Sequence, residues 1–151
     1  MDFLWLLFDV IGTIAFAISG ALLGIQRRMD IFGILILALV TAIGGGIVRD
    51  VMVGRIPPTS LQTGLYISIT LITVGIIFIM YRYGWNRYIE GKGATKVYLT
   101  ADALGLASFT VTGATIGITV DPGNLVLTVV LGVITAVGGG IIRDILAHRT
   151  P

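Results

Sequence analysis

Four stretches of this chain carry no charged residue, and each is long enough to cross a lipid bilayer. They run from Ile31 to Val48, Leu61 to Tyr81, Ala103 to Val120 and Pro122 to Ile142. About 18 apolar residues in a row suffice for a transmembrane helix, because a helix rises about 1.5 Å per residue through a hydrocarbon core roughly 30 Å thick. A fifth stretch, Phe3 to Ile25, is interrupted only by Asp9. The pattern predicts an all-α, polytopic membrane bundle with five spans. Composition agrees: only 12% of the 151 residues are charged, against about 25% in a soluble domain.

Several function classes drop out early. The opening MDFLWLLFDV has no basic segment of the kind a cleavable signal needs, so it reads as a mature helix. Cysteine is absent, which excludes disulfides and thiolate metal sites. A net charge of +2 is too small to indicate nucleic acid as a partner. There is no P-loop, dinucleotide fingerprint, metal-ligand cluster or nucleophile–histidine pairing, so neither enzyme activity nor a cofactor is expected. His148 stands alone near the end of the fifth span and reads as an interfacial residue rather than a metal ligand.

The connectors sort by charge. One side holds Met1, Asp2, Arg49, Arg55 and the Asp121–Pro122–Gly123–Asn124 turn; the other holds Arg27, Arg28, Arg82, Arg87, Lys92, Lys96, Arg143 and Arg149. Lys and Arg therefore divide two against eight. Basic residues near helix ends stay cytoplasmic, which predicts a cell-membrane protein with its N-terminus outside. Trp5, Tyr83, Trp85 and Tyr88 lie near span ends, as interface anchors do. The run from Arg82 to Lys96 reads as a loop or juxtahelical connector facing membrane lipid.

An internal repeat organises the chain. DVIGTIAFAISGALLG, starting at Asp9, matches DALGLASFTVTGATIG, starting at Asp102, in its Asp, Gly, Phe, Gly, Ala and Gly. TAIGGGIVRDVMVGRIP, from Thr41, shares 10 of 17 positions with TAVGGGIIRDILAHRTP, from Thr135. Repeat one covers residues 1–90 with three helices, and repeat two covers 91–151 with two. Three spans separate the two starts, so the copies are inverted in the membrane. Inverted repeats are frequent in transport proteins, where a pathway runs near the pseudo-twofold axis. The second copy stops at Pro151, the counterpart of Pro57, so at least one further span is expected in a longer parent chain.

The residues that repeat are the candidate site. Gly44, Gly45 and Gly46, with Gly138, Gly139 and Gly140, each cost about 1 kcal/mol of helix propensity relative to Ala. A kink there would loosen carbonyls that must then face protein or water, and carbonyls can replace part of a cation's hydration shell. The competing reading is close helix packing. Leu at Gly45 or Gly139 is expected to block flux while leaving assembly intact. Arg49–Asp50 and Arg143–Asp144 follow the glycines, and charges this deep pair or line water. Asp9 is expected to meet Arg49 near the outer face and Asp102 to meet Arg143 near the inner face, giving an hourglass with an ion pair at each mouth. A role in helix register alone is the alternative. Gly20 with Gly24 and Gly113 with Gly117 have the spacing of close helix packing.

With GGGIVRD at Gly44–Asp50, GGGIIRD at Gly138–Asp144 and the Pro57–Pro58 turn, the chain resembles the prokaryotic branch of the trimeric intracellular cation (TRIC) channels. The resemblance implies seven helices, the first six as two inverted triplets, and a homotrimer with one pore per subunit. It also implies second and fifth helices kinked at the glycines, an outward N-terminus, and conduction of monovalent cations favouring potassium. Potassium would occupy no fixed site, only transient ones. The same family includes proteins described as glycine transporters, so secondary transport of a small solute is the alternative, and a non-conducting scaffold is a third.

Overall fold

The charge-free stretches become helices that hold their hydrogen bonds internally, as hydrocarbon demands. The computed structural model describes residues 3–83 and 92–151, and the helices run α1 (Phe3–Gln26), α2 (Ile31–Met52), α3 (Thr59–Gln62), α4 (Leu65–Arg82), α5 (Lys92–Val120) and α6 (Leu125–Leu146). All but the single turn α3 are long and apolar enough to cross a membrane. The fold is an all-helical membrane bundle. Met1, Asp2, Trp85, Arg87 and Tyr88 lie outside the described residues, as does the side chain of Lys92.

Two boundaries differ from the sequence expectation. The third span does not begin at Leu61: Thr63 is extended (φ −126°, ψ 147°), and it separates α3 from α4. The fourth begins well before Ala103, because the helix runs through Lys96 and Asp102. Charge-free windows mark where lipid can be, whereas the helix carries on wherever its backbone stays paired. Arg82 and Lys96 accordingly sit on helices rather than in a loop.

The repeat extends to the helix ends. Asp30 caps α2 by accepting from Gly33 N (2.8 Å), and its repeat equivalent Asn124 caps α6 by accepting from Leu127 N (3.0 Å). Each satisfies one of the amide donors that a helix N-terminus leaves orphaned.

Packing obeys the same symmetry. α1 lies on α2 and α5 on α6, while α1 meets α5 and α2 meets α6 across the axis. α4 covers α1 and α2 on one flank. Phe16 and Phe109 are repeat equivalents and touch edge to face, centroids 5.2 Å apart. A Cβ at Gly12 would strike the Phe109 ring, and one at Gly105 the Phe16 ring, so each phenylalanine seats in the other repeat's glycine. Lipid tails are as apolar as these side chains, so it is close contact, not escape from water, that favours the assembly. Gly20 and Gly24 face α2, and Gly113 and Gly117 face α6. These spaced pairs join neighbours inside the bundle.

Candidate functional site

The two glycine triplets meet at the centre of the molecule. Both helices keep α-helical structure through them, so any bend is taken up within a continuous helix. A Cβ at Gly45 would overlap the Thr135 carbonyl oxygen, and one at Gly139 would overlap that of Thr41. The contact is reciprocal, as for two antiparallel helices crossing on a twofold axis. Gly44 belongs to the same contact, its Cβ position lying 3.7 Å from Gly139 Cα, and Gly138's lies 3.1 Å from Gly45 Cα. Leucine at Gly45 or Gly139 would therefore force α2 and α6 apart. The expectation that such a variant blocks flux yet assembles does not survive this geometry.

The third glycine of each triplet faces elsewhere. A Cβ at Gly46 would meet only Arg49 Nη2, at 3.7 Å, and one at Gly140 only Arg143 Nη2, at 3.6 Å. Each triplet thus holds the helix crossing with its first two positions and leaves room beside an arginine with its last. One turn of helix, about 6 Å, separates the crossing from each arginine.

Both predicted Asp–Arg pairs form, with unequal closeness. At one cluster Arg143 donates through Nε to Asp144 Oδ1 (2.8 Å) and through Nη1 to Ser19 Oγ (2.8 Å) and to Asp102 Oδ1. Ser19 in turn donates to Asp102 at 3.3 Å. At the other Arg49 donates through Nε to Asp50 Oδ1 at the same 2.8 Å, but its Nη1 stands 4.0 Å from Asp9. That is attraction without a hydrogen bond. Asp50, fully buried, also accepts from the backbone N–H of Thr59 at 2.7 Å, so the start of α3 is seated on the cluster.

An aromatic ring lies under each guanidinium. Arg49 is 5.7 Å from the Trp5 ring centroid and Arg143 is 5.1 Å from that of Tyr98, distances at which a cation is drawn to a ring face. Trp5 and Tyr98 are repeat equivalents, separated by the same 93 residues as Asp9 and Asp102. Reading Trp5 only as an interface anchor missed this role; extending the aligned block four residues toward the N-terminus exposes it. Arg149 adds a second cation to Tyr98, with its Nη1 3.3 Å from the hydroxyl. Ser19, Thr59 and Tyr66 were missed as well. Ser19 aligns with Thr112 and was legible as a polar repeat position. Thr59 and Tyr66 reach the site only through the turn before α4, which no local pattern announces.

Beside Arg49 is a small cavity lined by residues that include Asp9, Thr13, Gly46, Ser60 and Tyr66, with a volume of about 10 Å³. That is room for about one water. The threonines of the central helices do not offer free hydroxyls to it: Thr13, Thr41 and Thr135 bond the carbonyls of Asp9, Leu37 and Leu131. Thr70 and Thr73 of α4 do the same with Tyr66 and Ile69.

Comparison with known proteins adds an independent line. A family model described as glycine transporter matches residues 6–82 and 99–151. A UPF0126 membrane protein of Deinococcus radiodurans is 40% identical over 97% of this chain, and the chain spans 64% of that relative's length. Among solved structures, a TRIC cation channel studied for its conductance is 40% identical, with a TM-score of 0.82 over all of this chain and 70% of its own. A prokaryotic TRIC channel crystallised in 0.5 M KCl is 31% identical, with a TM-score of 0.88 over all of this chain and 74% of its own.

Proposed function

This chain belongs to the TRIC family and is matched by the glycine-transporter model as well, and from that premise we propose that it forms a cation channel favouring potassium, with one pore in each subunit of a homotrimer. In this reading it is a multi-pass protein of the cell membrane, its N-terminus outside and its basic inner connectors against membrane lipid. One observation carries the proposal. Each end of the α2–α6 crossing holds a buried cluster of two carboxylates and one guanidinium: Asp9, Asp50 and Arg49 at one end, Asp102, Asp144 and Arg143 at the other. Each cluster has a formal excess of one negative charge, which attracts cations and repels anions along a shared path.

The path would run past Gly46 and Gly140, where the backbone is bare beside the arginines. With about 10 Å³ open beside Arg49, no hydrated ion passes in this conformation. Conduction requires a guanidinium to move, and Arg49 is the one held by fewer bonds. Potassium would dwell there only in passing, exchanging water for carboxylate and carbonyl oxygens.

Recording from the purified protein in planar bilayers tests this. Discrete unitary currents selective for potassium over chloride are expected, and Val at Gly46 or Gly140 should cut unitary conductance while leaving the thermal unfolding midpoint in place. The matched family's description favours a second reading, in which one repeat rocks against the other to carry a small solute. Saturable, ion-coupled glycine uptake without unitary steps would establish that reading and remove the channel.

A further inference from the structure

The cavity beside Arg49 is lined by residues carrying three buried polar atoms that have no hydrogen-bond partner among the described residues, Arg49 Nη1, Thr59 Oγ1 and Ser60 Oγ. Arg49 and Ser60 are more than nine-tenths buried, at 2% and 7% exposure. A guanidinium N–H left unpaired in such a place is costly, so something must accept from it. The Asp9 carboxylate lies across the gap at 4.0 Å, too far to accept directly.

At the Arg143 cluster no such gap exists: Arg143 Nη1 donates directly to Asp102 Oδ1, and the Ser19 hydroxyl beside them accepts from Arg143 Nη1 at 2.8 Å and lies 3.3 Å from Asp102. Ser19's repeat equivalent is Thr112, whose hydroxyl donates to Phe109 O at 3.3 Å and also serves Asp9, and it offers Arg49 Nη1 no acceptor. The place between Arg49 Nη1 and Asp9 is thus left to a group that can both accept and donate.

We propose that a single structural water occupies it, accepting from Arg49 Nη1 and donating to Asp9, with Ser60 Oγ as its third partner. The volume of about 10 Å³ admits one water sphere. An anion is disfavoured by the cluster's second carboxylate, and a cation by the N–H aimed at the site. The water joins α1, α2 and α3 at one point, so it also ties Ser60 on the short α3 to the ion pair. Beyond α3's backbone bond to Asp50, this is its link to the charged residues. The inference stands whether or not the protein conducts.

A crystal structure of the purified protein that resolves waters, in chloride and again in bromide, decides it. One peak within hydrogen-bond reach of Arg49 Nη1, Asp9 and Ser60, without anomalous signal in bromide, is the expected result. A bromide signal at that position would overturn the assignment in favour of an anion. So would a cavity closed by direct contact of Arg49 Nη1 with Asp9 or Ser60.

Discussion

The charge clusters around Arg143 and Arg49 are built from equivalent residues of one duplicated sequence, yet they are held to different degrees. Arg143 makes three hydrogen bonds, to Asp144, Ser19 and Asp102. Arg49 makes one of that kind, to Asp50, and keeps Asp9 at 4.0 Å. An aromatic partner, a neighbouring aspartate and an adjoining glycine are common to both. What differs is the surroundings: Ser19 against Thr112 on the facing helix, Tyr98 against Trp5 under the guanidinium, and Thr59 and Tyr66 set against Asp50 and Asp9. The lesson is that duplication conserves the charges and the crossing, while the neighbours around them set whether an ion pair is closed or open.

The comparison is sharpest where the copies agree. Gly45 and Gly139 sit in mirrored contacts against Thr135 O and Thr41 O. Leu at either should separate α2 from α6 and cost about 3 kcal/mol or more, beyond the usual penalty of an overpacked core, since backbone rather than a side chain must yield. Equal losses are expected for the two variants, read as unfolding midpoints in detergent or as failure to assemble. A mild effect at one and a severe effect at the other would break the symmetry at its centre.

Where the copies differ, so should the response. Asp102→Asn removes a hydrogen-bonded charge partner from Arg143 and should cost toward the lower end of about 1.5–3 kcal/mol, the range of hydrogen bonds to charged groups, because Asp102 is partly exposed. Asp9→Asn removes a buried carboxylate that Arg49 does not bond directly and whose hydrogen-bond partners, Tyr66 and Thr112, are neutral; relief of its desolvation offsets the lost attraction, leaving under about 1 kcal/mol. Parallel unfolding measurements check the order. If Asp9→Asn proved the more damaging, the Asp9–Arg49 pair would be closed in the membrane, and the contrast between the clusters would vanish.

Much of this was legible beforehand, and the reason lies in which forces act over short sequence distances. The spans follow from runs such as Ile31 to Val48, because hydrocarbon enforces local pairing. The pairs Asp9 with Arg49 and Asp102 with Arg143 follow from depth plus repeat, since buried charges seek each other. The work divided within each triplet was not legible. Three identical glycines look alike in sequence, and only the helix crossing separates Gly45, against a carbonyl, from Gly46, beside a guanidinium. The seating of Thr59 on Asp50 was hidden as well, because it depends on a turn within what reads as a continuous apolar run.

The smallest difference lies at the helix ends after each arginine. Gly54 ends the first copy in the left-handed region (φ 71°), and its repeat equivalent is His148, which holds the same conformation (φ 50°). The equivalence extends to the bonds around it: Arg55 N reaches Asp50 O and Arg149 N reaches Asp144 O, both at 2.8 Å. Left-handed backbone costs a residue with a Cβ about 1–2 kcal/mol, and glycine nothing, although glycine has more freedom to lose on folding. His148→Gly should therefore stabilise the end of α6 by about 0.5–1 kcal/mol, and Gly54→His should destabilise the end of α2 by a similar amount. Opposite shifts of a few degrees in unfolding temperature would show that the two ends differ only by this cap. A loss of stability in His148→Gly would mean that the imidazole makes a contact worth more than the strain it bears, and that the histidine stands there for its side chain rather than in spite of it.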